Sequence, residues 1–199
     1  TLDWAVRSAL EAGLGVVLTG RTLGVWSYGK IGALVAGYGK AFGMKVLAHG
    51  SEQARSRADA DGHATTASRE ELFERADVLT LHLRLAESTR GCVTRQDLAR
   101  MQHTALLVNT SRAELVEPGA LVGALLDGRP GMAAVDVFER EPVRDDPLLR
   151  LPNVVASPHL GFVERTSYET LFGGAFDNVV AFAAGTPRNI VNAAALAAR

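Results

Sequence analysis

Cysteine is nearly missing from this sequence, and the single Cys92 excludes an internal disulfide or a zinc site built on cysteine thiolates. No run of about 18 consecutive apolar residues occurs, so no membrane-spanning helix is expected. The opening Thr1-Leu2-Asp3-Trp4 lacks the basic and apolar segments of a secretion signal, and a cytoplasmic setting is the expectation. Nor is there an excess of either charge: 21 Lys and Arg against 22 Asp and Glu leave a net charge of -1. That balance provides no electrostatic footprint for nucleic acid or an anionic membrane, and it turns attention to small molecules. No pair of histidines stands at the helical spacing of metal ligands, so no metal is expected.

Present instead is a regular alternation. Short apolar runs bounded by Gly, Asp, Asn or Pro recur at residues 23–26, 45–48, 78–82, 105–109, 133–137 and 154–156, and their length predicts strands. Segments with helical spacing lie between them at 31–42, 69–75, 95–101 and 118–127, the last opening on a proline and ending before Gly128. Strand and helix in alternation predict an α/β fold with a doubly wound parallel sheet covered on both faces. Two further helices are predicted at 2–12 and 164–184. Their apolar residues, Leu171, Phe172 and Phe176 among them, are expected to pack on the core, with an oligomer interface or a docking face as the alternative. The expected organisation is one nucleotide-binding domain over 1–199: a leading inter-domain or dimerisation helix at 1–19, a Rossmann core at 20–163, a C-terminal helix at 164–192 and a tail at 193–199.

The run Gly24-Val25-Trp26-Ser27-Tyr28-Gly29-Lys30-Ile31-Gly32 follows a predicted strand and opens a predicted helix, the setting of a dinucleotide-binding G-x-G-x-x-G turn. Gly29 lets a backbone approach a pyrophosphate, Gly32 lets helix pack on strand, and the N–H groups of the first helical turn attract phosphate. Ser27 stands in place of the first glycine, so a positive φ there would store strain. At the end of the second strand, where an acid normally takes the adenosine ribose hydroxyls, the sequence reads Ala48-His49-Gly50-Ser51-Glu52, followed by Arg55 and Arg57. Glu52 suits the ribose diol of NAD, while the arginines suit the 2′-phosphate of NADP. The reading leans to NAD and leaves NADP open.

Three predicted strands end in ionisable groups: Asn109-Thr110-Ser111-Arg112, Asp136 through Glu141-Pro142, and Ser157-Pro158-His159-Leu160-Gly161. Ligands of open α/β sheets bind at the carboxyl ends of the strands, so these segments converge. Reduction of a 2-keto acid requires a cation for its carboxylate, a proton donor at its keto oxygen, and an acid that orients the donor. Arg112, His159 and Glu141 are of those types. A carboxylate beside an imidazole favours the protonated ring, and a guanidinium fork holds a planar carboxylate by two hydrogen bonds.

In this order, the stretches GRTLGVWSYGKIG, ADVLTLHLRLAESTRG, LLVNTSRAELVE, MAAVDVFEREP and NVVASPHLG resemble the D-isomer-specific 2-hydroxyacid dehydrogenases, particularly their phosphoglycerate-dehydrogenase-like members. The resemblance runs from about Gly20 to about Asn192. It implies an oxidoreductase that moves a hydride between a nicotinamide cofactor and a D-2-hydroxy or 2-keto acid, with Arg112, Glu141 and His159 catalytic. It also implies cofactor contacts from Tyr28, Gly29, Lys30, Ile31, Gly32, Gly50, Ser51, Thr89, Thr110, Ser111, Arg112, Asp136, His159 and Gly161. Asp136 matches the acid at the nicotinamide carboxamide, Lys30 and Ile31 the phosphate-binding backbone, and Thr110 with Ser111 the loop under the nicotinamide ribose. The family's flavodoxin-like substrate domain is expected to be largely absent from this chain, and a homodimer through the nucleotide-binding domain is implied. Ala113 and Phe162 stand where the family carries smaller residues, which crowds the pocket. A nicotinamide-binding sensor or interaction module without turnover stays open as the alternative, as does a purely structural dimerisation domain.

Overall fold

The computed structural model describes residues 15–194, and the predicted helix at 2–12 lies outside them. The chain divides into two compact units, Thr1–His159 and Leu160–Arg199. In the first, seven strands form one parallel sheet: β1 (Thr22–Trp26), β2 (Lys45–His49), β3 (Ala64–Thr65), β4 (Val78–Leu81), β5 (Leu106–Asn109), β6 (Met132–Val135) and β7 (Val154–Ala156). The helices between them are α1 (Lys30–Ala41), α2 (Glu52–Ala60), α3 (Arg69–Arg75), α4 (Arg95–Arg100) and α5 (Ala120–Leu126). Strand order is β3-β2-β1-β4-β5-β6-β7, with the reversal of direction between β1 and β4 that defines a Rossmann sheet.

Side chains alternate across each strand, so the two faces carry separate cores. Leu23 and Val25 of β1 with Val46 and Ala48 of β2 face Ala36 of α1 and Ala54 and Ala58 of α2. Trp26, Leu47, Leu79, Leu81, Leu107, Ala133 and Val135 point the other way, into a larger core with Leu72, Phe73, Leu98 and Leu121. Gly24 makes the second packing close: a Cβ there would lie 2.9 Å from that of Ala76.

Helix ends follow local chemistry. Ser51, Ser68 and Thr94 accept the hydrogen bond of a first-turn N–H from α2, α3 and α4, and Asp97 returns one to Thr94 as a capping box. The helix expected from residue 118 begins instead at Ala120. Gly119, at φ 72° in the left-handed region, separates Pro118 from it.

The second unit holds α6 (Arg165–Ala183), capped by Glu164, whose carboxylate accepts from the N–H groups of Thr166 and Ser167 and is held at a pKa of about 2 by those bonds. Within this unit no residue of α6 is buried, and Leu171, Phe172 and Phe176 stand exposed. The helical spacing identified a helix correctly but says nothing of what covers its face.

Candidate active site

Register places the strand ends in one row. His49 pairs with Trp26, Trp26 with Leu81, Leu81 with Asn109, Asn109 with Val135, and Val135 with Ala156. At about 4.8 Å per strand, this carboxyl edge runs roughly 24 Å from the tip of β2 to that of β7. Every segment singled out in the sequence as following a strand leaves from this edge.

The phosphate loop follows β1. Ser27 adopts φ 80°, the positive value a first glycine would have taken, and its N–H donates to the His49 carbonyl at 2.8 Å. Gly32 is required by close approach, since a Cβ there would lie 2.2 Å from the Ser27 carbonyl oxygen. Gly29 meets nothing within 4 Å and caps α1 without a side-chain acceptor, and no acid stands in the first turn. The loop face is therefore open, and the leading N–H groups of a twelve-residue helix have no capping side chain. Those features fit a dinucleotide pyrophosphate, with Lys30 and Ile31, both exposed, on the same turn.

Tyr28 departs from a simple contact role. Its ring is 2% exposed, its hydroxyl donates to Asp61 at 2.7 Å, and burial pushes its pKa up to about 12, aided by the Asp61 bond and charge. Its backbone carbonyl accepts from Arg57 at 2.8 Å. Gly50 follows β2, and Ser51 commits its hydroxyl to the N–H of Ala54. The Thr89 hydroxyl is likewise used locally, donating to the Arg84 carbonyl and accepting from the Ala86 N–H.

The catalytic candidates leave neighbouring strands. After β5, Asn109 braces its own loop, accepting from the Ser111 N–H and donating to the Arg112 carbonyl, while the Ser111 hydroxyl donates to the Leu83 carbonyl at 2.6 Å. Thr110 and Arg112 are exposed on this braced turn, and Arg112 forms no ion pair with a carboxylate among the described residues. After β6, Asp136 is buried and accepts from the Ser157 hydroxyl, tying the ends of β6 and β7 together. Glu141 accepts from the Phe138 N–H at 3.0 Å through one oxygen and meets His159 Nδ1 at 2.7 Å through the other. The His159 bond, then the Phe138 bond, holds the Glu141 carboxyl below its ordinary range. His159 sits at φ 54°, and its side chain and that of Glu141 are 34% and 36% exposed. Gly161 belongs to the second unit.

Two cavities adjoin this edge. One of about 520 Å³ lies between the segment 137–148 and the start of α5, with Asn109, Ala113 and Phe138 in its wall, but Arg112, Glu141 and His159 do not line it. The other, of about 430 Å³, is lined by Tyr28, Gly29, Lys30, Ala33, Arg57 and Asp61. Sequence reasoning had not joined Asp61 to Tyr28; an acid 33 residues away leaves no spacing signal. No group of three or more metal-ligating side chains occurs among the described residues.

A parallel sheet with this strand order and a glycine turn opening α1 define a dinucleotide-binding α/β domain, with a histidine-carboxylate pair at its carboxyl edge. The chain belongs to the D-isomer specific 2-hydroxyacid dehydrogenase family, whose NAD binding domain model matches residues 3–161. It is 42% identical over 181 residues to a glyoxylate reductase of Aeropyrum pernix, covering 90% of this chain and 54% of that protein. A solved structure from Ralstonia solanacearum, described as a candidate D-3-phosphoglycerate dehydrogenase oxidoreductase, has 55% identity and a TM-score of 0.87 over 90% of this chain and 53% of that one. The NAD-complexed D-isomer specific 2-hydroxyacid dehydrogenase of Lactobacillus delbrueckii ssp. bulgaricus has 29% identity and a TM-score of 0.73, over 90% of this chain and 58% of that one. The chain thus spans about half the length of the curated relatives it matches.

Proposed function

We propose that this chain is the cofactor-binding part of an oxidoreductase that interconverts a D-2-hydroxy acid and its 2-keto acid. A nicotinamide dinucleotide supplies or accepts the hydride when bound. The single observation that carries the reading is the 2.7 Å contact between Glu141 and His159 Nδ1, on strand ends next to the turn that bears Arg112. Its support is chemical: Nδ1 is committed to the carboxylate, so proton exchange with the reactant falls to Nε2.

In reduction, Arg112 holds the carboxylate of the 2-keto acid by its planar fork and turns the carbonyl carbon toward the cofactor. With a bound dinucleotide as hydride source, His159 would give its Nε2 proton to the carbonyl oxygen as that oxygen gains the electron pair of the C=O π bond. Glu141 stabilises the charged imidazole beforehand and fixes its tautomer. Oxidation runs the same steps in reverse, with neutral His159 receiving the hydroxyl proton. Asp136 would hold the nicotinamide amide, and the backbone at 29–32 the pyrophosphate, with Gly50, Ser51, Thr89, Thr110, Ser111 and Gly161 as further cofactor contacts. A homodimer through this domain and a cytoplasmic setting complete the proposal; mass in solution tests the first.

The experiment is a panel of 2-keto acids, including glyoxylate, offered to the chain with reduced cofactor. Oxidation of the cofactor by at least one acid is expected, abolished in His159→Ala with cofactor affinity retained. Equal loss of affinity and turnover in that variant would contradict the assignment.

A further inference from the structure

We infer that the adenosine end of the site selects the 2′-phosphorylated dinucleotide, NADP(H), through a phosphate subsite formed by Arg57, Arg55 and Lys30. The inference rests on the reading that a nicotinamide dinucleotide binds here, and it names which form.

Recognition of an unphosphorylated ribose uses a carboxylate at the tip of the second strand, which accepts from both hydroxyls and repels a 2′-phosphate. Gly50 occupies the first position after β2. A Cβ there would stand 3.2 Å from that of Ala54, closer than ordinary contact, so an acid at this position would have to push Ala54 of α2 back by a few tenths of an ångström. The next residue, Ser51, has its hydroxyl engaged in capping α2.

Two guanidinium groups are anchored around this tip. Arg55 donates to the Gly50 carbonyl at 2.6 Å, and Arg57 donates to the Tyr28 carbonyl at 2.8 Å. Those carbonyls belong to the two turns that meet here, as the Ser27 N–H bond to His49 shows. Each bond uses one of a guanidinium's five N–H donors. Neither arginine forms an ion pair among the described residues, whereas Arg21, Arg69, Arg75, Arg95, Arg100 and Arg150 each do. Arg57 also lines the cavity of about 430 Å³, together with Lys30 and the open Gly29.

Two carboxylates oppose this charge. Asp61 lines the same cavity but accepts the Tyr28 hydroxyl at 2.7 Å, and Glu52 is exposed at the first position of α2. Three cations against two acids leave the tip positive, and planar guanidinium groups match phosphate geometry better than either acid matches a ribose diol. Anchoring by backbone carbonyls also lowers the cost of ordering two long side chains on binding.

Calorimetric titration of the wild-type chain with NADPH and NADH, and of Arg55→Ala, Arg57→Ala and the conservative Arg57→Lys, tests the subsite without relying on turnover. NADPH is expected to bind at least about tenfold tighter than NADH, the value of one charge-assisted hydrogen bond pattern. Each alanine variant should lose about tenfold in NADPH affinity while NADH affinity changes less than about twofold, and Arg57→Lys should recover part of the loss. NADH binding as tight as NADPH, or alanine variants that weaken both equally, would overturn the subsite. Absence of binding by either dinucleotide would instead overturn the underlying cofactor reading.

Discussion

The two halves of the carboxyl edge are built from different materials. Around β1 the pyrophosphate turn is backbone: an open Gly29, a helix brought in by Gly32, and a Tyr28 side chain turned onto Asp61. Around β5, β6 and β7 the site is side chain, with Arg112 and Glu141 exposed and His159 half-buried on turns that Asn109, Ser111 and Asp136 brace. The contrast follows from the tasks. A pyrophosphate needs many weak donors at fixed spacing, which a helix terminus provides, whereas acid-base chemistry needs one group whose proton moves. Binding and turnover should therefore separate along the edge.

The largest separation is expected at His159. Its replacement by alanine should lower keto-acid turnover by about 10² to 10⁴-fold while leaving dinucleotide affinity near wild type, as steady-state rates and calorimetry would record. The converse is expected of Gly32→Ala. An added Cβ 2.2 Å from a backbone oxygen forces the loop to move, and cofactor affinity should fall by about a hundredfold. If Gly32→Ala left affinity intact, the backbone half of the comparison would break. Arg112→Lys keeps the charge but loses the fork, so the KM for the 2-keto acid should rise by about tenfold with cofactor affinity unchanged. A smaller effect belongs to Tyr28→Phe, which removes the bond to Asp61 and should cost about 1 kcal/mol of stability in chemical denaturation while abolishing a tyrosine titration near 12.

The pH dependence of the histidine-carboxylate pair sharpens the comparison further. Glu141 has a folded pKa below its ordinary value of 4.5 because His159 and the Phe138 N–H bond to its charged form. A depressed folded value means that its stabilising contribution is complete above about 4.5 and fades as pH falls through the folded value. The stability difference between wild type and Glu141→Gln should accordingly narrow on acidification below 4.5, measured as thermal midpoints across pH. A difference that stays constant would remove the carboxylate's charge from the account.

Much of the frame was legible in the sequence, because short apolar runs and glycine punctuation are local signals. The strands at 78–82 and 154–156 and the helix at 69–75 were located to within a residue. β3, only Ala64–Thr65, was not, since two residues carry no periodicity. Asp136 and Val137 read as strand within the apolar run 133–137 but lie past the end of β6, on the segment that leads to Phe138 and Glu141. The positive φ at Ser27 was legible from the missing glycine. What the two arginines after β2 do was not: each bonds to a carbonyl on a turn, and only the folded register brings the Tyr28 turn next to the tip of β2.

The most direct test of the central claim is a single-turnover experiment in which the chain is loaded with reduced nicotinamide dinucleotide and mixed with a 2-keto acid while the reduced-cofactor absorbance is followed. The account predicts a decay that requires Arg112 and His159 and yields the D-2-hydroxy acid. A chain that binds the cofactor tightly yet shows no decay with any 2-keto acid would contradict it and would make this edge a binding surface alone.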